Sequence, residues 1–183
     1  MSDTEREEYV YVLDFLPQGH AEDRTHNEPI VQGVGSDNFT LLELAAREDA
    51  RIKIGDFVYV GQGERERIER VKRRLGYEDL TQGAKAELEY GVKAIIDDDE
   101  ERYVEFFNTA GSITTRLHQL NLLPGIGKKI RNGILEERRE KEFESLDDIE
   151  ERVGGLHNVR EILAERIVNE IKDEDLKYRV FAR

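Results

Sequence analysis

The stretch best suited to chemistry is Leu122-Leu123-Pro124-Gly125-Ile126-Gly127-Lys128-Lys129-Ile130. Proline fixes one φ angle, and each glycine can take a positive φ that a side chain would resist. A Pro-Gly-x-Gly run between one apolar-periodic segment (Ile113, Leu117, Leu120) and another (Ile130, Ile134, Leu135) therefore reverses the chain tightly. A helix opening at Gly127 or Lys128 has unpaired N–H groups at its start, and such a start holds oxygen anions. Lys128 and Lys129 stand beside it, Arg131 follows, and Arg116 and His118 lie just before the turn. This pattern reads as a helix-hairpin-helix motif holding a nucleic-acid backbone, with Gly125, Ile126, Gly127, Lys128, Lys129, Arg131, Arg116 and His118 as its contacts. The competing readings are an αα-corner that only joins two helices and, for His118, a packing or structural hydrogen-bond role.

Other chemistry is missing. Without cysteine there are no disulfides, thiol nucleophiles or thiolate metal sites. His20, His26, His118 and His157 show no zinc-ligand spacing. Asp97-Asp98-Asp99 cannot all face one ion, because successive side chains diverge on a helix or strand. Gly33-x-Gly35 lacks the third glycine of a dinucleotide turn, and Gly61-Gln62-Gly63 lacks the Lys-Ser/Thr of a phosphate loop. No serine has an evident base. The expectation is a binding protein with no catalytic residues, no metal and no cofactor.

A net charge of −13 opposes a phosphate ligand. However, Arg116–Arg139 holds six basic residues against Glu136 and Glu137, a local +4 that leaves −17 for the rest. Only nine of the 28 basic residues are lysine, against 41 carboxylates, a balance resembling that of proteins from salt-loving archaea. In molar salt the screening length falls to about 3 Å. Directional N–H bonds would then carry more of the binding than counterion release. Met1–Glu8 is acidic and polar, unlike a signal peptide, and no apolar run approaches the roughly 20 residues of a membrane span. A soluble cytoplasmic protein is expected.

The elements that must position the hairpin follow from periodicity. Residues 1–8 read as a disordered tail. Tyr9–Leu16, Ile30–Val34 and Phe39–Ala46 read as strands, the last with helix as a close alternative. Arg51–Val60 is a strand region broken at Gly55-Asp56. Glu64–Leu75 fits either a helix through Ile68, Val71 and Leu75 or a returning strand. Its Arg65, Arg67, Arg70, Lys72, Arg73 and Arg74 form either a solvated face or a backbone-contacting patch. So many strands without a crossover helix suggest a small β-barrel over 9–79. From Leu80 the period turns helical, giving an α+β chain with a helical domain over 80–175. Thr81 caps a helix through Ala84, Leu88, Val92 and Ile96; Tyr103 to Phe107 form a second helical face; and Gly111-Ser112 opens the helix entering the hairpin unit, 113–139. Ser145 caps a short helix. Val153-Gly154-Gly155-Leu156 then looks like a degraded second hairpin (150–171), with His157 in Gly127's place and packing against the first as its role. Alternation at Lys177–Phe181 suggests that 176–181 returns to the barrel as a strand.

Taken together, Tyr77-Glu78-Asp79-Leu80-Thr81, Phe106-Phe107-Asn108, Arg116–Lys129, Phe143–Ile149 and Lys177–Phe181 resemble the archaeal DUF655 family, a domain-of-unknown-function family. The resemblance implies nucleic-acid binding and an OB-like barrel, which leans toward RNA rather than DNA. Phe39, Tyr59 or Tyr77 could stack on bases, with core packing as the alternative. Hairpins of this kind can also hold a monovalent cation through carbonyls, here those of Asn121, Leu123 and Ile126. The usual small alanine early in the second helix is missing at Ile130–Asn132. A protein-interaction scaffold in which the hairpin is purely structural is the alternative function.

Overall fold

A computed structural model describes residues 6–23 and 27–183. His26 and residues 1–5 of the expected tail lie outside the described residues. The chain divides into two compact units, Met1–Val92 with Glu170–Arg183, and Lys93–Asn169.

The first unit is built on a curled five-stranded antiparallel sheet, a half-barrel, from β1 (Tyr9–Leu16), β2 (Ile30–Gly35), β3 (Leu41–Ala46), β4 (Phe57–Tyr59) and β5 (Ile68–Arg74). The order is β4-β1-β2-β3-β5, so β4 and β5 are its edges. Alternate side chains on the inner face (Val10, Val12, Val31, Leu44, Val58, Ile68) form one core. Every residue of β2 and β3 is buried. On the other face, Tyr11 donates its hydroxyl hydrogen to Glu87 Oε1 at 2.7 Å and Gln32 Oε1 accepts the Thr81 N–H at 2.9 Å, which ties α1 (Gln82–Asp98) to the sheet. Thr81 caps α1 as expected, Oγ1 accepting from Ala84 at 3.0 Å. The ambiguous segment resolves as β5, because pairing with β3 satisfies its backbone while its arginines point outward to partners.

Two expectations for this unit need correction. Residues 6–8 are not a loose tail: the Glu7 carboxylate, 7 % exposed, accepts the N–H groups of Asp37, Asn38 and Thr40. Nor do residues 176–181 form a strand. Buried Glu170 instead gathers the N–H groups of Val180, Phe181 and Ala182 on one oxygen, at 2.7, 2.9 and 3.1 Å. Once a single carboxylate takes those donors, the ladder that alternation implied cannot form.

The second unit is helical: the end of α1, α2 (Glu100–Thr109), α3 (Lys128–Glu140), α4 (Leu146–Arg152) and most of α5 (Val159–Lys172). Its core includes Tyr103, Phe107, Leu120, Leu123, Ile134, Leu146 and Leu163. Ser145 caps α4, accepting from Asp148 N at 2.9 Å. Of the acidic run, Asp97 pairs with Arg160 at 2.7 Å and Asp99 sits at the start of α2. The helix expected to enter the hairpin from residue 113 is absent: only a four-residue 3-10 turn, Gln119–Leu122, precedes it. Thr114 gives the reason. Its Oγ1 accepts from the N–H groups of Arg116 and Leu117, and the N–H groups of Ile113 and Thr114 turn to Leu117 O. This local side-chain bonding outcompetes helix.

Candidate nucleic-acid interface

The turn is built from its apolar flanks inward. Leu123 and Ile126 are 2 % and 4 % exposed and anchor it in the core of the second unit. Between them the Ile126 N–H reaches Leu123 O at 3.2 Å, and Gly125 has φ +78°. Only glycine takes that conformation without strain, and Pro124 pre-sets the position before it. Asn121 braces the loop, its Nδ2 donating to Ile126 O at 3.1 Å while its Oδ1 accepts from Arg131 at 3.1 Å. Two of the three carbonyls named for a cation, those of Leu123 and Ile126, thus already accept internal hydrogen bonds.

Helix α3 starts at Lys128 with Gly127 as its N-cap, and no side chain caps it. Gly125, Gly127, Lys128 and Lys129 are all exposed there. The structure therefore gathers those four residues at one surface, with Ile126 buried beneath them. Arg131 is committed to Asn121 and Asn132, which makes it a brace more than a free cation. Arg116 is exposed on the preceding loop. His118 is 7 % exposed; its Nδ1 accepts the Leu120 N–H at 3.1 Å and so caps the 3-10 turn. Burial, with Arg138 and Arg131 nearby, holds its pKa below the ordinary imidazole value.

The Val153–Leu156 turn repeats this geometry. Gly155 has φ +84°, the Leu156 N–H reaches Val153 O at 3.3 Å, and Val153 and Leu156 are each 1 % exposed. The two turns meet through small residues: a Cβ on Gly155 would lie 4.0 Å from Ile130, and one on Gly133 3.4 Å from Val153. Past the turn they differ. The second has one more residue before its helix, Asn158 at φ +57°. The first N–H of α5, on Val159, is taken by Glu150 Oε1 at 2.7 Å. One helix start is open to an outside anion; the other is closed by the chain's own carboxylate.

The second basic cluster is spent internally. Arg67 bonds Asp56 and Phe57 O, Arg65 bonds Gly61 O, Arg70 and Lys72 share Glu28, Arg73 pairs with Glu43, and Arg74 bonds Arg183 O. Phe39 is 2 % exposed and belongs to the core, while Tyr77 carries Lys85 and Lys172 over its ring at 5.0 and 5.2 Å. Among the described residues no cluster of His, Asp or Glu could hold a metal ion, and no helix is long and apolar enough to cross a membrane.

A model of the DUF655 family, described as a protein of unknown function, matches residues 6–183. The chain belongs to the DUF655 family. It is 45 % identical over 178 residues to an uncharacterised protein of Methanocaldococcus jannaschii, covering 97 % of this chain and 80 % of that one. The crystal structure of a DUF655 protein from Archaeoglobus fulgidus aligns with a TM-score of 0.90 at 49 % identity, covering 97 % of this chain and all of the other. Both relatives are archaeal.

Sequence reading missed Glu150 and Gly133, and of Asn121 it named only the carbonyl and not the bracing side chain. Glu150 lies nine residues before the amide it caps and Asn121 ten before the arginine it meets, so no local pattern marks either. Gly133 offered a signal, a small residue just past the position where an alanine was expected.

Proposed function

We propose that this DUF655 protein binds nucleic acid without catalysing a reaction, RNA in preference to DNA. In this reading Leu122–Ile130 is a helix-hairpin-helix turn whose backbone N–H groups at Gly125, Gly127 and Lys128 hold phosphate oxygens. Lys128 and Lys129 add charge, and contacts of this kind read no bases. The carrying observation is the difference between two otherwise matched turns. The α3 start is uncapped, exposed and flanked by lysines, whereas Glu150 closes the α5 start.

The half-barrel is proposed to be OB-like, a partly open five-stranded barrel. Because β2 and β3 are buried throughout, its ligand surface would lie at the β4–β5 seam. A recess of about 990 Å³ opens there, lined by Tyr59, Gln62, Arg65 and Val71. The packing of one turn on the other favours a second reading, a protein-interaction scaffold in which the hairpin is only structural.

Titration with labelled single-stranded RNA and duplex DNA at several salt concentrations separates the two. The binding reading expects the double variant Lys128→Glu, Lys129→Glu to lose affinity while keeping its fold. Unchanged affinity supports the scaffold, and metal-dependent cleavage of either nucleic acid would overturn the non-enzymatic reading.

A further inference from the structure

Behind the hairpin, the second unit holds a recess of about 460 Å³ lined by His118, Arg138 and Arg139 with Ser112, Asn108 and Glu142. The loop entering the hairpin builds one wall. Ser112 and His118 pair across an antiparallel bridge, and the Gln119 N–H closes the loop on Gly111 O at 2.9 Å. With Nδ1 accepting from Leu120, the neutral imidazole carries its hydrogen on Nε2, and no acceptor among the described residues meets it. The opposite wall is α3. Arg138 uses one guanidinium nitrogen to reach Phe107 O at 3.2 Å and Ala110 O at 2.8 Å, the last carbonyls of α2 and its cap. Its other donors remain available. Among the described residues neither Arg138 nor Arg139 has a carboxylate partner, although Arg67, Arg70, Arg73, Arg152 and Arg160 in this acidic chain all do. Among the described residues Glu142 is the one acid at the recess, where it is exposed and forms no ion pair. Two unneutralised guanidinium groups, an imidazole N–H and a serine hydroxyl thus line one hollow. A tetrahedral oxyanion accepts from several such donors at once, and arginine forks match it in shape.

We infer that this recess is a phosphoryl-binding site, with His118 Nε2–H, Arg138 and Arg139 as its donors. That the phosphoryl group belongs to a nucleic-acid strand rests on the function proposed above; that the recess takes one does not. Glu142, exposed beside the donors, opposes the anion.

The test follows the His118 imidazole by ¹H–¹⁵N NMR while inorganic phosphate is added to the full chain. A saturable shift of the Nε2 signal is expected. Arg139→Gln, which removes an exposed side chain with no internal partner, should weaken it by about tenfold, one charge-assisted contact. Glu142→Gln should tighten it. His118→Asn keeps an acceptor for the Leu120 N–H and removes the Nε2 donor, and should weaken phosphate binding with the fold intact by circular dichroism. Lys128→Glu with Lys129→Glu should leave it unchanged, which separates this recess from the hairpin. No saturable shift, or a shift indifferent to Arg139→Gln, overturns the site. Competition by RNA assigns the source. Preference for a 5′-phosphorylated oligonucleotide over its 5′-hydroxyl twin supports a strand end, and equal competition supports an internal phosphodiester. Phosphate binding that neither RNA displaces overturns the strand as source and leaves a small phosphorylated ligand.

Discussion

Replacing Gly127 with aspartate should make the protein more stable and a weaker binder at once. Gly127 has φ −89° and ψ −167°, extended backbone that any residue adopts, and a Cβ there would meet nothing within 4 Å. An aspartate at this N-cap can accept the N–H two or three residues on, as Ser145 accepts from Asp148 at 2.9 Å at the start of α4. Relative to glycine the cap adds a few tenths of a kcal/mol. The negative charge at a helix start adds about 0.3–1 kcal/mol, and removal of glycine's freedom in the unfolded chain about 0.4–1 kcal/mol. The sum is about 1–2 kcal/mol, a rise in Tm of about 2–8 °C for a chain of this length. The same carboxylate occupies the amides proposed for phosphate and repels the ligand. Affinity for single-stranded RNA should therefore fall at least tenfold, or about 1.4 kcal/mol. Gly127→Ser, a neutral cap, should do less of both. Thermal melts with fluorescence anisotropy at one fixed salt concentration read the two effects. A stability gain with undiminished affinity would refute the α3 start as the phosphate seat, and a stability loss would refute the open N-cap.

The reverse change belongs at the second turn. Glu150→Ala leaves the Val159 N–H without its 2.7 Å partner and should destabilise by about 1–2 kcal/mol in urea, while Glu150→Gln, still an acceptor, loses less. Glu170→Ala removes the acceptor of three N–H groups at residues 180–182 and should lose at least about 3 kcal/mol. The C-terminal segment should then be cut by trypsin at Lys177 and Arg179; unchanged resistance would show that other contacts hold it. His118 sets a pH dependence. Its folded pKa lies below the ordinary value, so the unfolded chain binds more protons in the window between the two. Its contribution is full above about pH 6.5 and is lost as pH falls through the folded value. Urea midpoints between about pH 5 and 7 should therefore decline less steeply in His118→Asn than in the parent.

Local physics made much of this protein legible without coordinates. Apolar runs rich in β-branched and aromatic residues, bounded by turn signals, placed β1 and β2, and left β3 as a strand with helix close behind. The cap at Thr81 and the apolar spacing beyond it placed α1, and Ser145 placed α4. Pro124-Gly125 placed the turn, because a positive φ beside a fixed one leaves the backbone few choices. The likeness of Val153–Leu156 to that turn was equally visible, since its Gly155 adopts the same conformation. What the sequence could not show is which donor meets which acceptor when the two are distant in the chain. Alternation at 177–181 suggested a strand, yet Glu170 claims those amides. Apolar spacing at 113–120 suggested a helix, yet Thr114 and Leu117 fold it into a loop. Six basic residues at 65–74 looked available, yet folding hands each a partner. The candidate site itself was decided the same way. Both turns have the backbone to offer amides outward, and only the tertiary structure brings Glu150 onto Val159 while leaving α3 open. At these two turns backbone conformation is set by neighbours in sequence, whereas the satisfaction of a hydrogen-bonding group is set by whatever the fold carries to it.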